Sequence, residues 1–210
     1  MSRERRLWVV LLLNLLLIAG LVIVGLRAHS LGVVAAGADY LADAAAIGVS
    51  LLAIWLAHKP PSGRRPGGYP NATIIAAMVN GGWLLVLSAL VIVAAIQRLM
   101  SGAPSVEGLP MLIVSAVAAA VMLIGALILR GDPGIDDDHG DDLNVKAVLL
   151  DTAADAAAAG GIALSGAVIL STGGLYWLDP AMALIIATVV GYQALKLMRK
   201  VVTALRPSRR

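Results

Sequence analysis

The sequence predicts an all-α integral membrane protein: six transmembrane helices, with both chain ends on the cytoplasmic side. Three observations carry this. First, 60% of the 210 residues are hydrophobic and only 14% charged, with a mean hydropathy of +0.89; a soluble domain is about half apolar and about a quarter charged. Second, the apolar residues come in blocks of about 20 or more, which at 1.5 Å per residue span the roughly 30 Å hydrocarbon layer. Third, 14 of the 16 basic residues fall at the termini or in the second and fourth connections. Positive charge marks the cytoplasmic side, so those segments share it.

The first span covers 7–26 and follows Arg3, Arg5 and Arg6. Its apolar core exceeds the roughly 7 to 15 residues of a signal-peptide h-region, so it is read as a retained span. The second covers 31–57 and the third 72–99, separated by KPPSGRRPGGYPN with Lys59, Arg64 and Arg65. SGAPSVEG leads to the fourth span, 109–129, and RGDPGIDDDHGDDLN to the fifth, 145–170. STGGLYWLD precedes the sixth, 180–198. Each break is rich in Gly, Pro, Ser or Asp, the residues that end helices and make turns. Residues 1–205 form one transmembrane domain, and 206–210 a short basic tail. Only Arg27 and Arg98 sit on the opposite side, both at helix ends. With no cysteine, disulfide frameworks and thiolate metal sites are excluded. The net charge of +3 reflects interfacial anchors; no soluble basic face exists to bind nucleic acid.

Within the second span, GADYLADAAAIG places Asp39 and Asp43 four residues apart in an otherwise apolar run. An Asp at the bilayer centre costs about 2.5 to 3.5 kcal/mol. Residues i and i+4 share a helix face, so the two carboxylates point the same way. Held that close they repel, unless a proton or a cation sits between them. Taken alone, the pair is also compatible with a wet helix end. The fifth span repeats the device: NVKAVLLDTAADAAAAGG carries Asp151 and Asp155. Carboxylates converging from two helices make an oxygen-ligand site for a divalent cation. The small residues at 35–38 and 153–161 let the two helices approach closely enough to share it.

These residues also carry a family resemblance, from Asn14 to about Met198. HSLGVVAAGADYLADAAAIGVSLLAIWLA resembles the second helix of the cation diffusion facilitators, where a His or Asp is followed four residues later by Asp. RRPGGYPNATIIAAMVNGG resembles that family's cytoplasmic turn and third helix. LNVKAVLLDTAADAAAAGGIALSGAVI resembles the fifth helix with its own pair, and LDPAMALIIATVVGYQALKLMRK the sixth, which often opens with Asp-Pro. The resemblance implies a six-helix divalent-metal/proton antiporter, not an enzyme. It makes Asp39, Asp43, Asp151 and Asp155 the transport-site ligands. It also implies a homodimer, and Zn²⁺ as the favoured substrate, with Mn²⁺, Cd²⁺, Co²⁺ and Fe²⁺ as the other candidates. No resident cofactor is expected.

The chain departs from the family in several places. Zinc-preferring members often have His in the first position of one pair, where this chain has Asp39 and Asp151. An all-carboxylate site is harder and leans toward Mn²⁺. In place of the His-rich loop of many members stands DPGIDDDHGDD at 132–142, read as a solvated connector rather than a cation-collecting mouth. Members usually continue into a soluble metal-binding domain; here the sequence ends at ALRPSRR, and the expectation is a form without one. The second connection lacks the ligands of an accessory zinc site. Among the other polar residues, Asn144 is read as the cap of the fifth helix. Asn14 and Asn80 are read as helix-facing, and His29 and His58 as interfacial. Most of Trp8, Trp55, Trp83 and Trp177 read as belt anchors.

Charge accounting supplies a mechanism. Four ionised Asp residues in a dry site are untenable uncompensated, so at least two hold protons when metal is absent. Arriving metal displaces those protons, and protons from outside release the metal as the helices alternate access. The competing readings are a metal uniporter and an intramembrane aspartyl protease. The latter expects Tyr-Asp and Gly-x-Gly-Asp signatures, where this chain has YLAD, LLD and TAAD.

Overall fold

The computed structural model describes residues 3–57, 72–130 and 141–205, with side chains described for 15–45, 48–49, 74–124 and 153–203. Six helices follow in order: α1 Arg3–Arg27, α2 Leu31–Ala57, α3 Ala72–Ser101, α4 Gly108–Arg130, α5 Asp141–Thr172 and α6 Leu178–Leu205. The described residues contain no strand. All six predicted spans are therefore helices, and the fold is an all-α membrane bundle. Within the described residues, Ile74–Ser101, Ala153–Thr172 and Leu178–Thr203 are each long and apolar enough to cross a bilayer.

One boundary corrects the sequence reading. α5 begins at Asp141, four residues before the expected start, so Asn144 lies inside the helix and is not its cap. The end of the acidic 132–142 run is thus helical, not connector. Residues 131–140 lie outside the described residues, as do the second connection at 58–71 and the side chains of Trp8, Asn14 and Trp55.

The bundle is inverted relative to a soluble protein. Leu16, Ile23, Leu90, Leu164, Ile185 and Tyr192 are exposed, while Ala35, Ala36, Ala42, Ala95, Ala118, Ala159, Ala163 and Ala187 are buried. Lipid tails are as apolar as leucine, so large side chains lose nothing by facing out. Small ones inside let backbones come close and gain van der Waals contact. The most extensive pairings are α4 with α5 and α3 with α6. α2 packs against all five other helices. The α4–α5 seam is tightest at Gly108 and Gly166. A methyl group at Gly166 would come within 2.8 Å of the Leu112 backbone nitrogen and 3.0 Å of the Gly108 carbonyl oxygen.

At one end of the bundle the α1–α2 turn, the α3–α4 loop and the α5–α6 turn meet. α1 ends in a Schellman turn: Ser30 N–H donates to the Gly25 carbonyl at 3.0 Å and His29 N–H to that of Leu26 at 3.4 Å. His29 takes the left-handed conformation there, φ 58°, usually reserved for glycine. Ser30 then caps α2, its Oγ accepting from Val33 N–H at 3.2 Å. Asp179, completely buried at the start of α6, accepts from Ser30 Oγ (2.5 Å), Leu31 N–H (2.7 Å) and Gly32 N–H (3.0 Å). Arg98, at the end of α3, donates to the His29 carbonyl at 2.7 Å and lies 3.6 Å from Asp179 Oδ2. Glu107 N–H donates to the Ala28 carbonyl at 3.1 Å. Arg98 was one of two basic residues on the sparsely charged side; its partners explain why it is there.

Candidate cation site

α2 enters the bundle as a run of Gly and Ala around two acids, so its backbone lies close to its neighbours while Asp39 and Asp43 project from one face. Asp39 is eight residues past Leu31, about 12 Å along the axis, and Asp43 a turn further. Both therefore lie well inside the roughly 30 Å apolar layer. α5 brings Asp155 to the same place. Asp39, Asp43 and Asp155 line one cavity of about 350 Å³, walled by Ala154, Ala157 and Ala158 of α5 and by Met182, Ile186 and Val190 of α6. All three acids are partly buried, and each has interaction partners.

Asp151 sits four residues before Asp155 on α5, but its side chain lies outside the described residues. Among the described residues, no three Asp, Glu or His side chains are grouped tightly enough to hold one ion. The structure thus brings Asp39, Asp43 and Asp155 to one cavity without gathering them into a closed coordination shell. Carboxylate oxygens of this kind suit divalent cations from Mg²⁺ to Zn²⁺. Asp39 also borders a second, small cavity of about 20 Å³ between α2, α3 and α6, room for about one water. Ser88 lines it too, buried, with no hydrogen-bond partner for its Oγ.

Three residues that bear on the site went unassigned in the sequence. Tyr40, buried beside Asp39, donates from its hydroxyl to the backbone carbonyl of Asp155 at 3.4 Å, tying α2 to α5 at the acids themselves. Gln193 lines the large cavity from α6. A lone amide in an apolar helix is the signal that would have found it, since uncharged polar groups in spans face the interior. Asp179 was noted only as part of an Asp-Pro opening, yet it is a fully buried carboxylate. Of the other residues weighed, His29 is a turn residue, Asn80 is partly buried on α3, and Trp83 and Trp177 are exposed. His58 lies outside the described residues.

Comparison with known proteins agrees with this architecture. The model of the cation efflux transmembrane domain matches residues 7–206. The chain is 27% identical to the proton-coupled zinc antiporter SLC30A2 of Homo sapiens over 208 residues, covering 96% of this chain and 56% of the relative. It is 31% identical to the cadmium, cobalt and zinc/H(+)-K(+) antiporter of Bacillus velezensis over 195 residues, 89% of this chain and 60% of the relative. It is 30% identical to the zinc transporter ZitB of Pectobacterium atrosepticum over 184 residues, 85% and 54%. The chain therefore spans a little over half the length of these relatives, all of which are transporters rather than enzymes. Over residues 7–206 the chain belongs to the cation efflux, or cation diffusion facilitator, family of membrane proteins.

Proposed function

We propose that this protein exports a divalent transition-metal cation from the cytoplasm in exchange for protons, with Asp39, Asp43, Asp151 and Asp155 as the ligands. The observation that carries the reading is the single cavity lined by Asp39 and Asp43 from α2 and Asp155 from α5, inside a bundle of membrane-spanning helices. Zn²⁺ is the first substrate, which the zinc transporters among the relatives support. Cd²⁺ and Co²⁺ follow from a second relative, and Mn²⁺ from the hardness of an all-carboxylate shell. Both termini are cytoplasmic by the distribution of Lys and Arg. The family resemblance further suggests a homodimer joined through membrane-embedded surfaces. Membership of a transporter family leaves no support for the intramembrane protease reading.

Proton coupling follows from charge. Asp carboxylates that bind M²⁺ and then release it must be neutralised by something else in an apolar site, and protons are what the aqueous phases supply. In proteoliposomes loaded with a pH-sensitive dye, metal added to one side without a membrane potential is expected to drive opposite proton movement. Metal movement with no proton movement would make the protein a uniporter.

Ligand chemistry gives a second expected result. Asp151→His replaces a hard oxygen ligand by the softer imidazole and should raise the Zn²⁺-to-Mn²⁺ rate ratio. An unchanged ratio would place Asp151 outside the shell.

A further inference from the structure

The buried carboxylate of Asp179 takes no part in the cavity, yet it makes four polar contacts, to Ser30, Leu31, Gly32 and Arg98. It belongs to α6, and its partners belong to the first turn of α2 and the end of α3. Both oxygens are committed: Oδ1 to Ser30 Oγ and Gly32 N–H, Oδ2 to Leu31 N–H and the Arg98 guanidinium. With no exposed surface and every oxygen engaged, Asp179 is not a ligand for transported metal.

Asp179 shares the capping of α2, taking the Leu31 and Gly32 amides. Ser30 already satisfies Val33 N–H from within the chain segment itself. What Asp179 adds is a tie between residues 147 to 149 positions apart, made by a charge that burial would otherwise penalise. Beyond this contact α2 is held by buried Val33 and by Tyr40, whose hydroxyl reaches the Asp155 carbonyl. Its other buried contacts, at Ala35, Ala36 and Ala42, are smooth and small, suited to sliding as much as to packing. Gly32 leaves just enough room: a methyl group there would meet Asp179 Oδ1 at 3.1 Å. A helix transmits displacement along its axis, and Asp39 lies only about two turns beyond this contact.

We propose that Asp179 is a positioning residue for the cation site: by clamping the first turn of α2 to α6, it sets the register at which Asp39 and Asp43 face Asp155. The proposal rests on those acids being the site.

Two substitutions approach the clamp from opposite sides. Asp179→Asn removes the charge with nearly no change of shape, and Gly32→Ala presses on the same oxygen from α2 without touching any charge. In the purified full chain, both are expected to raise the Zn²⁺ concentration for half-maximal binding and transport about tenfold, as loss of a group that orients metal ligands does. The maximal rate at saturating Zn²⁺ is expected to be retained. The chain has no cysteine, so Ser30→Cys with Asp179→Cys can be bridged by a short bifunctional thiol-alkylating reagent. Bridging is expected to restore wild-type half-saturation, and the unbridged pair is not. Asp39→Ala, measured in parallel, separates the two claims. If it loses Zn²⁺ binding while Asp179→Asn and Gly32→Ala bind as wild type, the clamp is a cap alone and the positioning role is overturned. If Asp39→Ala itself binds Zn²⁺ normally, the site reading falls and takes this proposal with it.

Discussion

Asp155→Ala is expected to reduce metal transport to the level of empty vesicles while the protein still inserts and runs as a single species. Asp155 is the α5 acid on the cavity that Asp39 and Asp43 line from α2, and no other described acid lines that cavity from α5. Its loss removes the α5 carboxylate that faces Asp39 and Asp43 across the cavity, leaving Asp151 as the one proposed ligand from that helix. Folding should not suffer. An ionisable Asp at the bilayer centre costs about 2.5 to 3.5 kcal/mol to insert, and fewer charges in a cluster mean less repulsion when metal is absent. The Tyr40 hydroxyl bonds the backbone carbonyl of Asp155 rather than its side chain, so that tie survives the substitution. Asp43→Ala is expected to behave in the same way. The check is uptake of Zn²⁺ into proteoliposomes beside size-exclusion profiles of the same preparations. Wild-type uptake by both variants would remove the carboxylate site, whatever the family.

Two glycines on one helix are expected to respond in opposite directions. Gly166→Ala forces a methyl group to within 2.8 Å of the Leu112 nitrogen and 3.0 Å of the Gly108 carbonyl. Both are backbone atoms of α4 and cannot rotate aside, so the α4–α5 seam must open. Overpacking of this kind costs about 1 to 3 kcal/mol, and it falls on one of the two most extensive helix pairs in the bundle. Gly160→Ala, less than two turns away on α5, meets nothing within 4 Å. There the gain in helix propensity, about 0.8 to 1 kcal/mol over glycine, is unopposed. Melting of the detergent-solubilised protein, followed by loss of the monodisperse species, should show a lower midpoint for the first and an equal or higher one for the second. Equal midpoints would mean that the close approach at Gly108 and Gly166 relaxes at no cost.

Much of this was legible in the residues. Long apolar blocks separated by Gly, Pro and Asp can only be membrane helices, because a backbone in hydrocarbon must satisfy its own hydrogen bonds. The number and order of the helices followed from that. Asp39, Asp43, Asp151 and Asp155 stood out for a related reason: a carboxylate in an apolar helix is costly enough to need a purpose. The spacing of four put each pair on one face, and that much is local geometry.

What the sequence could not decide is which faces meet. That Asp155 shares a cavity with Asp39 and Asp43, and that Tyr40 bridges the two helices there, depends on how α2 is rotated against α5. Helices lined by alanine have no periodic pattern that fixes such a rotation. Asp179 is the clearest case. As one letter in LDPAM it reads as loop punctuation, and nothing within α6 explains its burial. Its partners, Ser30, Leu31, Gly32 and Arg98, lie on helices far away in the chain, and hydrogen bonds across such separations are a property of the packed bundle alone.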